Sequence, residues 1–207
     1  MNTSDLKRLT TATDAASRSS VASARLAGLA ADGHLLDVAI AVVGSPVGDL
    51  LVAVTPRGLA RVAFQDEDRE DVLRELAARL SPRILESAAA SDEARRELDE
   101  YFAGRRTRFD LAVDRRLIGD FAKKVLGATA RVPFGRTTTY GEVAARIGSP
   151  GAARAVGNAL GSNPIPIVIP CHRVLRSGGA LGGYGGGVGR KERLLRLEGV
   201  LPTPMLG

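Results

Sequence analysis

The segment NPIPIVIPCHRV, residues 163–174, places the only cysteine of the chain, Cys171, between Pro170 and His172. A cysteine attacks as a thiolate, and a histidine, a nearby cation or a helix N-terminus lowers its pKa. Because His172 is adjacent in sequence, its ring need not face the thiol, and a water or a third group would have to connect the two. Glu198 is a candidate carboxylate for orienting the His172 ring. The pattern therefore indicates nucleophilic chemistry at Cys171.

Each of these three residues also has a purely structural interpretation. A lone cysteine is often a small buried apolar residue, and a lone histidine is often a hydrogen-bonded structural residue. By its spacing alone, Glu198 would be a solvated charge on the final predicted helix, RKERLLRLEGV, residues 190–200. The motif alone therefore does not decide between nucleophilic and structural roles, which depend on the elements that position these residues.

Composition limits the classes of protein that fit. The chain has 207 residues, of which 44% are hydrophobic, and this is enough for a substantial core. A single cysteine excludes an internal disulfide and a thiolate-rich zinc site, and His34 alone supplies no metal centre. We expect no metal, no cofactor, no membrane span and no signal peptide. A free thiol suits a reducing compartment, which favours the cytoplasm.

The charge is unevenly distributed along the chain. Residues 115–200 carry a net charge of +10 and residues 1–114 a net charge of −4, which together give the +6 of the whole chain. A basic half is typical of a protein that binds a polyanion such as nucleic acid, and a solvated basic surface is the alternative.

The first half predicts a small α/β unit. Residues 1–36 have weak periodicity, which indicates a flexible N-terminal extension, and residues 37–114 form the first domain. Turn signals separate three short apolar runs, which predicts a three-stranded antiparallel sheet. The predicted elements are strands at 37–43, 48–54, 58–64 and 108–113 and helices at 66–80 and 92–103.

The second half, residues 115–200, predicts a helical domain that is followed by a tail at 201–207. A first helix covers 117–132, with Phe121 on its apolar stripe. Thr139 and Glu142 form a capping box for a helix at 139–148. Ser149 is the expected N-cap of the next helix, at 149–161, so the pair predicts a helix-turn-helix.

The helix at 149–161 is built largely from Ala and Gly, and Arg154 is the only long polar side chain in its first two turns. Small residues allow close packing against a neighbouring helix, or close approach to a nucleic-acid groove. Major-groove recognition helices carry several base-reading side chains, so sequence-specific reading is not expected here.

The segment 163–174 resembles the acceptor-cysteine signature of the O6-alkylguanine-DNA alkyltransferase family. The resemblance continues upstream through VPFGRTTTYGEVAARIGSPGAARAVGNALGSNP and downstream through GALGGYGGGVGRKERLLRLEG, over about 85 residues. It implies an N-terminal ribonuclease-H-like domain and a C-terminal winged-helix-like domain with a helix-turn-helix. Some relatives hold a structural zinc through cysteines that this chain lacks, and Arg193 stands where relatives often have Trp.

The resemblance implies direct reversal of DNA alkylation without a cofactor. Such proteins flip O6-alkylguanine out of duplex DNA, and the cysteine takes the alkyl group irreversibly, so each molecule acts once. The partner would be double-stranded DNA, bound through the minor groove without sequence preference by a monomer.

The resemblance also assigns roles to residues. Cys171 is the alkyl acceptor, His172 is a water-linked base, Glu198 orients His172, and Asn163 stabilises the turn that holds the cysteine. Tyr140 lies beside the 3′ phosphate and donates toward the base. The implied DNA-binding residues are Arg154, which replaces the flipped base in the stack, together with Tyr140, Thr139, Ala153, Gly157 and Arg136. The implied pocket residues are Val174, whose carbonyl reads the guanine amine, together with Tyr184, Gly185, Gly186 and Pro166.

Three other interpretations stay open at this point. A regulator that only binds DNA would use the helix-turn-helix but would not need the Pro-Cys-His-Arg run. A thiol peptidase would want a distant histidine with an Asn or Asp partner. A phosphate-binding enzyme is suggested by GGYGGGVGRK, which lacks the Gly-Lys-Ser/Thr ending of a P-loop.

Overall fold

The computed structural model describes residues 37–202 as a mixed α/β protein. The N-terminal part has four strands and two helices. The strands are β1 (Val38–Val43), β2 (Leu50–Thr55), β3 (Gly58–Phe64) and β4 (Ile84–Glu86), and the helices are α1 (Arg69–Arg79) and α2 (Asp92–Phe102). The predicted extension at 1–36 and residues 203–207 of the predicted tail lie outside the described residues.

The three predicted antiparallel strands are confirmed, and the sheet gains a fourth strand. Its order is β3-β2-β1-β4, with β4 parallel to β1. The predicted strand at 108–113 is wrong, because only Val113 makes a bridge, to Leu59. The amide of Leu59 donates to the carbonyl of Ala112, and the amide of Asp114 donates to the carbonyl of Leu59. This segment therefore touches the edge of the sheet without forming a ladder.

The two N-terminal helices cover opposite sides of the sheet. Val72 and Leu76 of α1 pack with Val38 and Ile40 of β1 in one apolar cluster. Leu98 of α2 belongs to a second cluster. Asp68 caps α1 by accepting from the amides of residues 70 and 71, so this helix begins at Arg69, three residues later than the predicted start at 66.

Up to residue 202, the C-terminal part contains four α-helices and a short parallel pair of strands. The helices are α3 (Asp120–Thr129), α4 (Tyr140–Arg146), α5 (Ala153–Gly161) and α6 (Val188–Leu197), and the strands are β5 (Thr138–Thr139) and β6 (Val174–Leu175). Helices α4 and α5 form the predicted helix-turn-helix, and α3 packs against both.

The capping box of Thr139 and Glu142 at the start of α4 is confirmed. The prediction that Ser149 caps α5 is wrong. The N-cap is Ala152, and no side chain caps the helix, because residues 149–152 form a turn before the helix begins. Phe121 does not lie on the buried stripe of α3 either, since 41% of it is exposed.

The second apolar cluster joins the two parts of the chain. It combines β-sheet residues such as Val52 and Val62 with Leu98 of α2, Val156 of α5 and Leu194 of α6. The C-terminal helices therefore pack against one face of the sheet. The boundary between the two domains at 114/115 stays a prediction. Within the part of the chain that the structure describes, no helix is long and apolar enough to cross a membrane.

Candidate active site

Cys171 begins a single turn of 3₁₀ helix, Cys171–Arg173, which runs directly into β6. Strand β6 pairs with β5, and β5 leads directly into α4, whose first residue is Tyr140. This connection brings the cysteine segment and the helix-turn-helix together. The thiol is buried, with 5% of the residue exposed.

The turn before Cys171 is held by Asn163. Its Nδ2 donates to the carbonyl of Ile169 at 3.0 Å and to Sγ of Cys171 at 3.1 Å, while its Oδ1 accepts from the amide of Ile165 at 3.0 Å. Ile167 in this turn has a φ of +74° and is fully buried. A β-branched residue rarely adopts this conformation, which costs about 1–3 kcal/mol. The hydrogen bonds of Asn163 help to offset that strain.

We therefore expect Asn163→Ala to lower the free energy of unfolding by about 1–3 kcal/mol, because it leaves the buried amide of Ile165 without its acceptor. Chemical denaturation measures the change. The matched control is Asn158→Ala on the exposed side of α5, which should change stability by less than about 0.5 kcal/mol. Equal losses in the two variants would contradict the assigned role of Asn163 in the turn.

A buried hydrogen-bond network surrounds Glu198, the residue that follows α6. Oε1 of Glu198 lies 2.8 Å from Nε2 of His172 and accepts from the hydroxyl of Tyr101 at 2.8 Å. Arg173 donates through Nε to Oε2 at 2.9 Å and through Nη2 to Oε1 at 2.8 Å. Burial alone would raise the pKa of Glu198, but the hydrogen bonds from His172 and Arg173 lower it to about 2. Glu198 is therefore a buried carboxylate, not a solvated helix charge.

The network fixes the protonation of His172. Burial lowers the pKa of His172, so its ring is neutral at pH 7. A carboxylate only accepts hydrogen bonds, so Nε2 carries the proton and Nδ1 presents a lone pair. Nδ1 is buried and has no hydrogen-bond partner among residues 37–202. His172 is thus prepared to take up a proton at Nδ1, with Glu198 in place to stabilise the cation that forms.

The thiol of Cys171 is neutral in the absence of DNA. Burial raises the pKa of Cys171 to about 11, and the hydrogen bond from Asn163 and the charge of Lys191 only partly oppose this. The Lys191 ammonium is fully buried and donates to the carbonyls of Val174, at 2.6 Å, and Leu181. Burial lowers the pKa of Lys191 to about 8. In the free protein the pKa of the Cys171 thiol is therefore raised, whereas nucleophilic chemistry led us to expect a lowered pKa.

Cys171 lines two adjoining cavities. One, of about 350 Å³, lies on the side of the helix-turn-helix and is also lined by Tyr140 and Gly157. The other, of about 510 Å³, lies on the side of the sheet and is also lined by Phe64 and Asn163. Four of the five predicted pocket residues line these cavities: Pro166, Tyr184, Gly185 and Gly186. Val174 lines neither, and its carbonyl already accepts from Lys191.

Tyr140 stands at the junction of the pocket and the helix-turn-helix. Its hydroxyl donates to the carbonyl of Gly183 at 3.3 Å. Burial raises the pKa of Tyr140, so the hydroxyl keeps its proton. The ring lies beside Gly157 of α5, where an added Cβ would make ordinary contact with it. The hydroxyl has one proton, so Tyr140 donates to a molecule in the smaller cavity only when it gives up the long hydrogen bond to Gly183.

The other predicted DNA-binding residues lie on or near the outer side of α4 and α5. Arg154 and Arg136 are exposed, whereas Thr139 and Ala153 are half-buried. Helix α5 packs inward through Val156, Ala159 and Leu160. At the start of the helix, Ala152 and Ala153 are half-buried and Ala152 packs against the apolar cluster, whereas Arg154 and Ala155 are exposed. The small residues around Arg154 are therefore only partly used in packing.

Three residues of the site were not predicted from the sequence. Tyr101 and Arg173 hold Glu198, and Lys191 binds the loop carbonyls beside the thiol. The sequence offered one signal: Arg173 directly follows the Cys-His pair. Tyr101 comes from α2 and meets Glu198 only in the folded chain. Within residues 37–202, no three His, Cys, Asp or Glu side chains are grouped as a metal site would require.

Comparison with known proteins identifies two family models along the chain. The ribonuclease-like domain of 6-O-methylguanine DNA methyltransferase matches residues 38–115, and the DNA-binding domain of the same family matches residues 120–200. The two matches together cover most of the residues that the structure describes.

Named relatives resemble the chain over different lengths. The methylated-DNA–protein-cysteine methyltransferase of Mycolicibacterium paratuberculosis is 43% identical over 156 residues, which cover 75% of this chain and 89% of that protein. The Mycobacterium tuberculosis protein of the same name is 54% identical over 102 residues, which cover 49% of this chain. In that alignment the chain spans 61% of the relative's length.

Solved structures show the same fold. The M. tuberculosis O6-methylguanine methyltransferase superposes with a TM-score of 0.68 and 39% identity, over 81% of this chain and 97% of that one. A structure of M. tuberculosis OGT in complex with DNA superposes with a TM-score of 0.67 and 39% identity, over 79% of this chain and 92% of that one. Sequence, fold and site together show that the chain belongs to the family of O6-methylguanine-DNA methyltransferases, the methylated-DNA–protein-cysteine methyltransferases.

Proposed function

We propose that this protein repairs DNA by direct reversal, moving the alkyl group of O6-alkylguanine irreversibly onto Cys171. The observation that carries the proposal is the position of Cys171 at the wall between two cavities, beside a His172–Glu198 pair whose free imidazole nitrogen is buried. A protein that only binds DNA needs neither the thiol nor the prepared base.

The chemistry needs a nucleophile, a base and a proton donor. The Cys171 thiol gives its proton to Nδ1 of His172, through a bridging water as the family resemblance implies, and Glu198 stabilises the resulting imidazolium. Sγ forms a bond to the alkyl carbon as the bond from that carbon to O6 breaks. Tyr140 donates a hydrogen bond to the base as charge develops on it. The imidazolium of His172 then returns this proton through the water to the guanine anion that leaves, so guanine gains the proton that the thiol loses and the transfer balances.

The raised pKa of Cys171 in the free protein fits a thiol that is activated only with substrate in place. Lys191 lies near enough for its charge to favour the thiolate of Cys171. The thioether product is stable. Each molecule therefore acts once.

Duplex DNA is the partner in this proposal. Helix α5 enters the minor groove with its small residues against the sugar-phosphate walls, and Arg154 occupies the space of the flipped base. Because few base-reading side chains are present, phosphate contacts dominate, and binding is salt-dependent and independent of sequence. The protein acts as a monomer in the cytoplasm, a reducing compartment that keeps the thiol free.

Arg154→Ala tests the role of base flipping. We expect the variant to react with O6-methylguanine in duplex DNA at least about tenfold more slowly than the wild type. Without Arg154, nothing fills the gap that the flipped base leaves between its neighbours, and the flipped state becomes a few kcal/mol less favourable. Reaction with free O6-benzylguanine should stay within about twofold of the wild type. Quenched single-turnover assays measure both rates.

The control is Arg146→Ala, which removes another exposed arginine, from the end of α4. This variant should lose DNA affinity without a selective loss of the duplex reaction. Equal slowing of Arg154→Ala on duplex and free base would contradict the flipping role. A wild type that leaves the methylated duplex unchanged would contradict the proposed transfer itself.

A further inference from the structure

Tyr101 links the N-terminal part of the chain to the Glu198 network. It comes from α2, is fully buried, and donates through its hydroxyl to Oε1 of Glu198 at 2.8 Å. The other donors that the described residues give this carboxylate all belong to the C-terminal part: His172, Arg173 and the amide of Gly135. Burial and the charge of Glu198 raise the pKa of Tyr101, so its hydroxyl keeps the proton that it donates.

Aromatic neighbours fix the ring of Tyr101. The ring centroids of Phe109, Phe102 and Phe134 lie 5.2, 5.3 and 6.1 Å from that of Tyr101. Phe134 belongs to the C-terminal part, so the ring lies between the two parts of the chain. A phenylalanine at position 101 would keep these contacts and lose only the hydroxyl.

Glu198 is held in place without Tyr101. Arg173 donates to both carboxylate oxygens, through Nε to Oε2 at 2.9 Å and through Nη2 to Oε1 at 2.8 Å. The amide of Gly135 also donates to Oε2, at 3.2 Å. A two-point guanidinium contact already fixes the plane of the carboxylate. The main effect of the Tyr101 hydroxyl is therefore on the charge of Oε1, not on its place.

Three donors share Oε1 of Glu198. Nε2 of His172, the hydroxyl of Tyr101 and Nη2 of Arg173 each lie 2.8 Å from this oxygen. Each accepted hydrogen bond draws negative charge from Oε1 and leaves less of it to stabilise an imidazolium. The bond from Tyr101 is stronger while His172 is neutral, because an imidazolium would partly neutralise the carboxylate. The hydroxyl therefore favours the neutral form of His172.

The other groups around His172 stay in place when position 101 changes. Burial is the largest effect on the pKa of His172 and lowers it. Glu198 favours the imidazolium, whereas the charges of Arg173 and Lys191 disfavour it. The titratable and charged groups near the ring are Glu198, Arg173, Lys191, Tyr184, whose ring centroid lies at 6.5 Å, and Cys171, which precedes it in the chain.

We propose that Tyr101 is a positioning residue that acts through Oε1 of Glu198 to keep His172 in the neutral form that accepts the thiol proton. The proposal rests on the proposed alkyl transfer, in which His172 is the base. The N-terminal part of the chain thereby takes part in the chemistry without touching the substrate.

The test is the titration of His172 in the DNA-free protein, followed by NMR of the imidazole nitrogens. His34 and His172 are the two histidines of the chain, so His34→Gln assigns the signals. For Tyr101→Phe we expect the midpoint of the His172 titration to rise by at least about 0.5 pH unit. At pH 7 the Nε2 proton should move downfield, because its hydrogen bond to Oε1 strengthens. This second signal serves if acid unfolds the variant before the ring titrates.

The matched control is Thr55→Val. The buried hydroxyl of Thr55 also donates to a carboxylate that an arginine holds, that of Asp114, at 2.7 Å, with Arg116 donating through Nε at 3.0 Å. Neither Thr55 nor Asp114 lines a cavity beside Cys171. The control therefore loses an equivalent hydrogen bond and should keep the wild-type signals of His172.

The transfer rate provides a readout on the reaction itself. The neutral imidazole is the base, so the pH below which single-turnover transfer from methylated duplex slows should move upward in Tyr101→Phe by the same amount as the midpoint. Thr55→Val should keep the wild-type pH profile.

An unchanged or lowered midpoint in Tyr101→Phe, or an Nε2 proton that does not move, would overturn the proposal. Methyl transfer by the wild type would still support the proposed function in that case. A wild type that leaves the methylated duplex unreacted would instead contradict the proposed function. The NMR signals of the free protein do not depend on transfer, so the two failures are distinguishable.

Discussion

Cys171→Ser is expected to abolish alkyl transfer while leaving the fold and DNA binding intact. The hydroxyl of serine is a far weaker nucleophile at neutral pH, and no other cysteine exists in the chain to replace the thiol. The rate on methylated duplex should fall by at least about a thousandfold, the scale on which loss of a nucleophile acts. Single-turnover assays followed by chromatography of the hydrolysed DNA measure the loss of O6-methylguanine.

The same variant separates chemistry from binding. Serine is close to cysteine in size and can accept the hydrogen bond that Asn163 donates to Sγ, so the turn should persist. Affinity for the duplex, measured by fluorescence anisotropy at fixed salt, should stay within about threefold of the wild type. Residual methyl removal by Cys171→Ser above a hundredth of the wild-type rate would contradict a role for this thiol as acceptor.

Glu198→Gln is expected to have the second largest effect, on both stability and rate. Removing the carboxylate leaves the Arg173 guanidinium buried without its counter-charge, which costs about 3–5 kcal/mol of unfolding free energy. The imidazolium of His172 also loses its stabilising partner, so the transfer rate should fall by roughly a hundredfold. Denaturant titration and single-turnover assays at a temperature where the variant is folded measure the two effects.

The matched control is Glu192→Gln on α6, where a half-buried carboxylate pairs with Arg196. It should cost less than about 1 kcal/mol and leave the rate unchanged. His172→Asn tests the proton transfer separately, because it keeps the Glu198–Arg173 pair, and it should slow transfer with a smaller loss of stability. Wild-type stability and rate in Glu198→Gln would contradict the network as described.

Acid pH provides an independent signature of Glu198. Its pKa is about 2 in the folded protein against an ordinary value of 4.5, so its contribution to stability is complete above pH 4.5 and is lost as pH falls toward 2. Glu198→Gln has no carboxyl group to titrate. The difference in stability between wild type and variant should therefore shrink as pH falls through this window.

Local signals in the sequence predict most of the fold correctly. The turn residues between apolar runs give the three antiparallel strands, and the capping box of Thr139 and Glu142 gives the start of α4. The predictions fail where tertiary contacts determine the secondary structure. The segment at 108–113 has an alternating pattern but meets the sheet only at its edge, and β4 is a three-residue strand fixed by pairing with β1.

For the site, too, the sequence predicts the local features and misses those that depend on tertiary contacts. The Cys-His pair and the Asn-Pro before it lie in one continuous segment, so their proximity follows from the sequence. The environment that sets their protonation does not, because Tyr101 and Glu198 reach His172 from distant parts of the chain. The raised pKa of Cys171 likewise results from burial in the folded protein. Motif spacing therefore identifies the reacting group, and packing determines when it reacts.

The central claim is tested most directly by the intact mass of the wild-type protein after incubation with duplex DNA carrying one O6-methylguanine. The account predicts a gain of one methylene, stoichiometric with protein, which peptide fragmentation localises to Cys171. An unchanged protein mass, with DNA binding retained and the methylated guanine still present, would contradict the account and leave a DNA-binding protein that does not carry out repair.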